Sequence, residues 1–461
     1  MPFAELAVVG AGPAGLSAVV TAARLGVKVV LIDEYIQPGG QYLKGEAFAD
    51  TLSSPAERQG RALLRSLPSA GITTYWQTVV WHSEKNRLHL HRPQGPLTLD
   101  AATVIAATGA RELALPFPGW TLPGVMTVGG IQVLVKAHRV LPGQKILLAG
   151  SGPLLLAAAY TLISHGLPPV AVLESSAPRQ WMRFGPALGG QTGRMSEGWR
   201  YLQALRRARV PYRFRRAVVR ALGSDHLEAV VTARLDSRGR PVSGSEETIP
   251  VDALGIGFGF IPNVDLTQLA GCTHRYAPAL GGWVPLVNEH QATDVPGLFA
   301  AGECAGVAGA EAALLSGEAA AWGAACHLGR VDRQELAHHL TRLKQARQRQ
   351  HRFAAVLNTL SSPPDPLLAA LAVGDVPICR CEGVTAAAVR QAIDRGARTL
   401  DALKTATRVG QGLCQGRTCG PILARLVASQ TGCPVEQAGF FRVRPPLKPV
   451  PLSTVAAEGV E

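Results

Sequence analysis

Residues 5–16 read Glu5-Leu-Ala-Val-Val-Gly10-Ala-Gly12-Pro-Ala14-Gly15-Leu16, and after a helical stretch the chain continues Val27-Lys-Val-Val-Leu-Ile-Asp33-Glu34. This is strand, G-x-G-x-x-G, helix, strand and acid, with Asp33 placed 23 residues after Gly10. The glycine spacing alone is a weak sign, but in this context it predicts a βαβ unit that binds the pyrophosphate of a dinucleotide. Gly10 permits the tight turn, Gly12 lets the backbone approach the phosphates, and Gly15 lets the helix pack on the strand, with Ala14 in the same loop. Asp33, or its neighbour Glu34, would accept hydrogen bonds from ribose hydroxyls.

Working outward, Gln37-Pro-Gly39-Gly40-Gln41 is a glycine turn followed by a polar side chain, able to lie beside a flat ring system. Short alternating segments, Thr73-Thr-Tyr-Trp and Leu88-His-Leu-His, predict the strands of a small β insertion. Val104-Ile-Ala-Ala-Thr108-Gly109 then reads as a buried strand ending in Thr-Gly. Residues 145–174 repeat the opening logic as Lys-Ile-Leu-Leu-Ala-Gly150-Ser-Gly152-Pro-Leu-Leu155, a helix, and Val170-Ala-Val-Leu-Glu174. Leu155 stands at the third glycine position, which predicts a helix pushed off its strand and a looser site. Glu174 would accept hydrogen bonds from an adenosine ribose and disfavour a 2′-phosphate, so ADP, ATP or NAD is the expected occupant. A purely structural half is the alternative. The segment Asp294-Val-Pro-Gly-Leu-Phe-Ala-Ala-Gly302-Glu303-Cys304 brings the chain back to its first domain.

Near the other end stand Cys379-Arg-Cys381 and, after 32 residues (382 to 413), Cys414-Gln-Gly-Arg-Thr-Cys419. Four thiolates from two short loops hold either a tetrahedral zinc or an iron–sulfur cluster. Each loop runs into a predicted helix start, with Thr385 as N-cap after the first pair and Pro421 in the first turn after the second. Helix N-termini suit an anionic cluster. Cys304 and Cys326 read as buried small residues, and neither Cys272 nor Cys433 has paired ligand spacing.

A chain of 461 residues with 47% hydrophobic and 17% charged residues is long enough for several cores and is not of the disordered class. Its net charge of +13 comes from arginines spread along the chain without an aromatic–basic motif, so no nucleic-acid partner is expected. Acidic cofactors, anionic lipid or an acidic partner surface account for the excess equally well. Eight cysteines are too few for a secreted disulfide scaffold. No apolar run approaches the length of a membrane span, and the start lacks the pattern of a signal peptide. The expected place is the cytoplasm, at most peripheral to the inner face of the membrane.

The first glycine unit, the Thr108-Gly109 strand end and the Gly302 segment resemble the two-dinucleotide-binding flavoproteins that include the disulfide reductases. That resemblance implies FAD on the first unit, with the Thr-Gly strand end closing over it. It also implies Gly302-Glu303 in the place of the family's Gly-Asp beside the ribityl and pyrophosphate. Pro116 to Met126, Gly281-Gly-Trp283-Val-Pro and Cys379 to Cys419 narrow the likeness over nearly the whole chain. They resemble the electron-transfer (A or alpha) subunits of opine oxidases and of hydroxyproline dehydrogenase, and the middle subunit of hydrogen cyanide synthase. The cysteine module is also similar to the bacterioferritin-associated ferredoxin fold, whose second pair is C-x2-C rather than C-x4-C.

The fold expected is α/β. An FAD domain of residues 1–118 and 251–330 carries an inserted second Rossmann-like domain of 119–250. A linker helix at 331–373 leads to a small α-helical [2Fe–2S] domain at 374–432, and a proline-rich tail at 433–461 is expected to be ordered only against a partner. Iron is preferred over zinc at Cys379, Cys381, Cys414 and Cys419, because zinc has no redox chemistry to share with a flavin. No C-x-x-C lies near the flavin segments, which argues against a disulfide reductase, and no catalytic triad is evident. The resemblance implies an amine-oxidising beta subunit with its own FAD as partner, and an acceptor that is a carrier or quinone. FMN at an intersubunit contact and a small [2Fe–2S] ferredoxin-like subunit are further expectations. Two other classes stand beside this reading. One is a stand-alone NAD(P)H-dependent reductase of a small electron carrier, the other a non-catalytic iron–sulfur docking protein.

Overall fold

A βαβ unit opens the chain: β1 (Phe3–Val9), α1 (Pro13–Arg24) and β2 (Val29–Ile32). These and the rest of the fold come from a computed structural model, which describes residues 2–44, 54–67, 71–182 and 192–457. By backbone proximity the chain divides into two units, Met1–Arg111 with Phe260–Asn358 and Val443–Glu461, and Glu112–Gly259 with Thr359–Arg442.

In the first unit β3 (Thr73–Tyr75), β4 (Val79–Glu84), β5 (Arg87–Arg92) and β6 (Gly95–Ala106) follow in sequence. β3, β2, β1, the second half of β6 and the strand Leu298–Ala300 form a parallel sheet in that order. The first half of β6 turns instead to β5 and β4 in an antiparallel ladder. Thr73–Tyr75, expected in the β insertion, thus extends the parallel sheet; a three-residue strand is too short for its alternation to say which ladder it joins.

β1 is apolar nearly throughout because both faces are covered. Leu6 and Val8 share a core with Leu16, Val19 and Val20 of α1, while Ala7 and Val9 share another with Leu90, Leu99 and Val104. Each such Val or Leu contributes about 1.5–3 kcal/mol by leaving water. Gly15 is required for this packing, since a Cβ there would lie 1.8 Å from the Gly10 carbonyl oxygen.

The tail departs from expectation. Its N–H of Leu447 donates to Trp81 O at 2.7 Å, and helix Leu452–Ala457 brings Thr454 Oγ1 to 2.8 Å from His91 Nδ1. Leu447 and Thr454 are both buried on the first unit. Prolines cannot donate to a ladder, so the tail is anchored by an isolated backbone bond and by buried side chains, which no periodic pattern announces.

The second unit holds five parallel strands in the order Tyr212–Phe214, Ala171–Glu174, Ile146–Gly150, Ala253–Gly257 and Val125–Thr127. Leu155 does not loosen it. The side chain is fully buried with Val128 and Ile131, and Gly257 on the adjoining strand leaves it room. The same unit contains the cysteine module: a hairpin of Pro377–Cys379 with Val384–Thr385, then helices Ala386–Asp394, Leu400–Thr407 and Gly420–Thr431. Both predicted helix starts are seen. Thr385 accepts the Ala388 N–H, and Pro421 sits in the first turn after Cys419. Trp120 Nε1 donates to Pro377 O at 2.8 Å, tying the module to the strands of its own unit. No helix among the described residues is long and apolar enough to cross a membrane.

Candidate functional site

The first glycine loop lies at the C-terminal end of β1, where open parallel sheets bind their ligands. α1 starts at Pro13 with Gly12 as its N-cap and no side-chain cap, so its first N–H groups are left for an anion. A Cβ on Gly12 would meet nothing nearer than Gly40 Cα at 3.9 Å, which makes the loop an open cradle. The structure gathers most of the expected residues around it. A Cβ on Gly40 would fall 2.7 Å from Gly12 Cα, and one on Gly302 would fall 2.6 Å from Ala14 Cβ. Glu303 accepts the Gly309 N–H at the head of helix Ala310–His327, while burial lifts its carboxyl above the ordinary value.

Asp33 departs from the simple ribose role. Its carboxylate is buried, with Oδ2 accepting the Ala11 N–H at 2.5 Å and Oδ1 the Tyr35 N–H at 2.8 Å. It therefore holds the glycine loop in shape first, and any ribose must use its remaining lone pairs. Burial pushes its pKa up, against those two donors. Glu34 is exposed and pairs with Lys448 of the tail, and the exposed Gln41 donates to Tyr35 OH at 2.9 Å. Of the two acids offered for the ribose, Asp33 is therefore the one at the loop, while Glu34 is engaged at the surface.

Asn263 is a residue the sequence did not disclose. Thr108 Oγ1 donates to its carbonyl at 2.7 Å, its Nδ2 donates to Thr108 O at 3.1 Å, and its N–H donates to Gly109 O at 2.9 Å. Arg111 donates to its Oδ1 at 2.7 Å. This clamp fixes the Thr-Gly strand end. A lone Asn 155 residues from its partner carries no motif.

The second glycine loop is arranged differently. Glu174 is fully buried and spends its carboxylate inside the chain. It accepts from Ser151 Oγ at 2.8 Å, Gly152 N at 3.0 Å, Ser176 N at 2.9 Å and Tyr212 OH at 3.1 Å. The end of helix Arg333–Ser361 sits against the loop: Ser151 Oγ also reaches Leu360 O at 2.7 Å, and a Cβ on Gly152 would lie 2.2 Å from Ser361 Oγ. The acid is thus engaged within the chain, and the helix end lies against the second glycine, an arrangement that favours the purely structural alternative for Gly150, Gly152 and Glu174.

The four cysteines converge as two pairs. Cys379 and Cys419 perturb each other's thiols, as do Cys381 and Cys414. The Cys419 thiol pulls Cys379 down to about 5, and the N–H groups of Gly410 and Glu382 help. Those of Thr418 and Gly416 point at Cys414. This is a donor set for thiolate sulfur. Among the described residues no three of these sulfurs meet within 4.8 Å of one another. Four thiols gathered from two loops are a donor set for a metal or cluster. Gly412 lets the second loop press on the first, since a Cβ there would lie 2.2 Å from Cys381 Cβ. Phe441, also undisclosed by the sequence, lays its ring on this loop, within 2.7 Å of a Cβ built on Gly410 and 2.1 Å of one on Gly416.

Two family profiles match the chain: "Pyridine nucleotide-disulphide oxidoreductase" over residues 4–325 and "BFD-like [2Fe-2S] binding domain" over residues 377–429. The opine oxidase A subunit of Rhizobium meliloti (strain 1021) is 34% identical over 99% of this chain and 99% of its own length. The chain belongs to the family of opine oxidase A subunits. Hydrogen cyanide synthase subunit HcnB of Pseudomonas aeruginosa is 32% identical, covering 98% of each chain. In fold, the family chain is similar to the crystal structure of L-proline dehydrogenase from P. horikoshii. That match has a TM-score of 0.72 and 20% identity over 98% of this chain and 79% of that one. Membership makes the chain one component of an oxidoreductase. Its profiles imply FAD or NAD(P) binding and a [2Fe–2S] cluster, which the open first cradle and the paired cysteines fit.

Proposed function

We propose that this chain is the electron-transfer subunit of a flavin-dependent dehydrogenase of amino acids, imino acids or opines, whose amine substrate is oxidised on a second flavoprotein chain. The carrying observation is that one chain holds an open dinucleotide cradle and four converging cysteines, yet keeps Cys304, the thiol beside the Gly302 segment, sealed. Cys304 is fully buried, donates to Ala106 O at 3.1 Å and Ala301 O at 3.2 Å, and is pushed up by burial. It offers no thiolate for disulfide chemistry.

The first-turn N–H groups of α1 and the backbone of Gly10, Gly12 and Gly15 would hold the FAD pyrophosphate, and Cys379, Cys381, Cys414 and Cys419 the cluster. When bound, FAD supplies two-electron chemistry and the [2Fe–2S] centre one-electron chemistry. On this reading the partners are an FAD-containing amine-oxidising chain, a small ferredoxin-like protein, and a carrier or quinone as acceptor, with FMN at an intersubunit contact. The names of the relatives support this assignment. The rival NAD(P)H reductase would need a nicotinamide dinucleotide on the second glycine loop, where Glu174 is saturated and Ser361 fills the approach.

The test is substrate-dependent dye reduction by the isolated chain and by the chain co-expressed with an amine-oxidising partner, on proline, hydroxyproline, glycine and opines. Turnover is expected only in the complex. Robust turnover by the isolated chain, or rapid flavin bleaching of it by NADH, would sink the proposal.

A further inference from the structure

The hairpin of β4 and β5, in the first unit, carries three ligating side chains that the flavin and cluster readings leave unused. His82 lies directly opposite His89 in the antiparallel ladder, and Glu84, two residues on, shares their face. The register shifts between Val80 and His82, so Trp81 is the extra residue of a bulge, a device that re-aims neighbouring side chains. The two imidazoles are nearly stacked, with centroids 4.9 Å apart and planes at 26°. The Trp81 ring flanks both, at 5.8 and 5.5 Å. His82 Nε2 lies 3.2 Å from Glu84 Oε1. One ligand atom from each of His82, Glu84 and His89 lies within 4.8 Å of the others. His82 Nδ1 is buried with no partner among the described residues, so Glu84 does not exhaust that ring.

We propose that His82, Glu84 and His89 form a binding site for a divalent cation of the zinc class. Two neutral imidazoles and one carboxylate are a borderline-soft set that suits Zn²⁺ and would leave its fourth tetrahedral position open. His82 and Glu84 line a surface depression of about 670 Å³ together with Lys85, Arg87 and Asp100. Water or a small anion would complete the coordination there. An exposed His–Glu ion pair would explain His82 beside Glu84, but not His89 placed across the ladder with its ring over His82. A bound ion would have to draw these atoms, now within 4.8 Å of one another, closer by side-chain rotation. The site rests on the hairpin alone and is independent of the electron-transfer reading.

The test is equilibrium dialysis of the chain, with its iron and flavin loaded, against Zn²⁺, with zinc, iron and flavin counted together. One zinc per chain beyond the iron content is expected at micromolar Zn²⁺. His89→Gln and Glu84→Gln should each weaken it by on the order of ten-fold or more, at unchanged iron and flavin. His91→Gln, on the same strand but hydrogen-bonded to Thr454, should bind as the parent does. Zinc binding that is equal in the parent and in His89→Gln, or no zinc retained by the parent at 100-fold that concentration, about the limit of a useful site, overturns the proposal.

Discussion

At the scale of single residues, the acids that close the two βαβ units serve the chain before any ligand. Asp33 and Glu174 occupy equivalent positions after their strands, and both are buried acceptors of their own glycine-loop N–H groups. The motif shows that an acid is required there, but not how many of its lone pairs remain. Asp33 accepts two backbone donors, whereas Glu174 has four donor groups around it, one of them the Ser151 hydroxyl that it shares with Leu360 O. An unpaired buried donor costs about 1–3 kcal/mol, so Asp33→Ala should destabilise the first unit by about 2–4 kcal/mol and lower its flavin content. Glu34→Ala removes only an exposed pair with Lys448 and should stay within about 0.5 kcal/mol of the parent, with flavin retained. Urea unfolding followed by circular dichroism, with released flavin quantified, checks both. Equal effects of the two variants would mean that the wrong carboxylate has been placed at the loop.

At the scale of elements, both βαβ units were legible because strand, glycine loop, helix and acid are consecutive in sequence. The partner of the second loop was not, because Ser151 and Leu360 are 209 residues apart and no periodicity links them. Nor could Leu155 be judged from its own unit. The space it fills is provided by Gly257 on a strand some hundred residues later, so a bulky side chain predicted to loosen the site packs without loosening it. The seating of Ser361 on the second loop can be measured as a coupling. Gly152 has φ +99°, so Gly152→Ala carries strain of about 1–2 kcal/mol in any background. Against Ser361 Oγ the new methyl group also clashes, and Ser361→Gly removes that clash. The double variant should therefore recover about 1 kcal/mol relative to the sum of the singles. Strict additivity would place the helix end away from the loop.

At the scale of the whole molecule, the chain leaves its first unit and returns to it twice, and its tail packs on the β4–β5 hairpin of that unit. Local motifs made the two cofactor modules legible. The pieces that complete them were hidden because each is a single side chain brought from far away: Asn263 at Thr108, Phe441 on the cysteine loop, Leu447 at Trp81. Gly12 belongs to one unit and the four cysteines to the other. Each module has its own core: Leu16 and Val19 of α1 lie under the glycine loop, while Val389, Ile393 and Leu423 are buried in the cysteine helices. Loss of one cofactor should therefore leave the other in place. In Gly12→Val the side chain enters an open cradle rather than a packed contact, so the fold should survive while the pyrophosphate is shut out. Flavin content is expected to fall at least about tenfold, as one lost close approach of this kind is worth more than about 1.4 kcal/mol, with iron and acid-labile sulfide unchanged. Cys414→Ser is the converse, losing iron and sulfide together with flavin unchanged, while Cys326→Ser should lose neither. Stoichiometric zinc without sulfide in the parent would identify the wrong metal. Joint loss of flavin and iron in both variants would show that the two modules fold as one, against the separate cores.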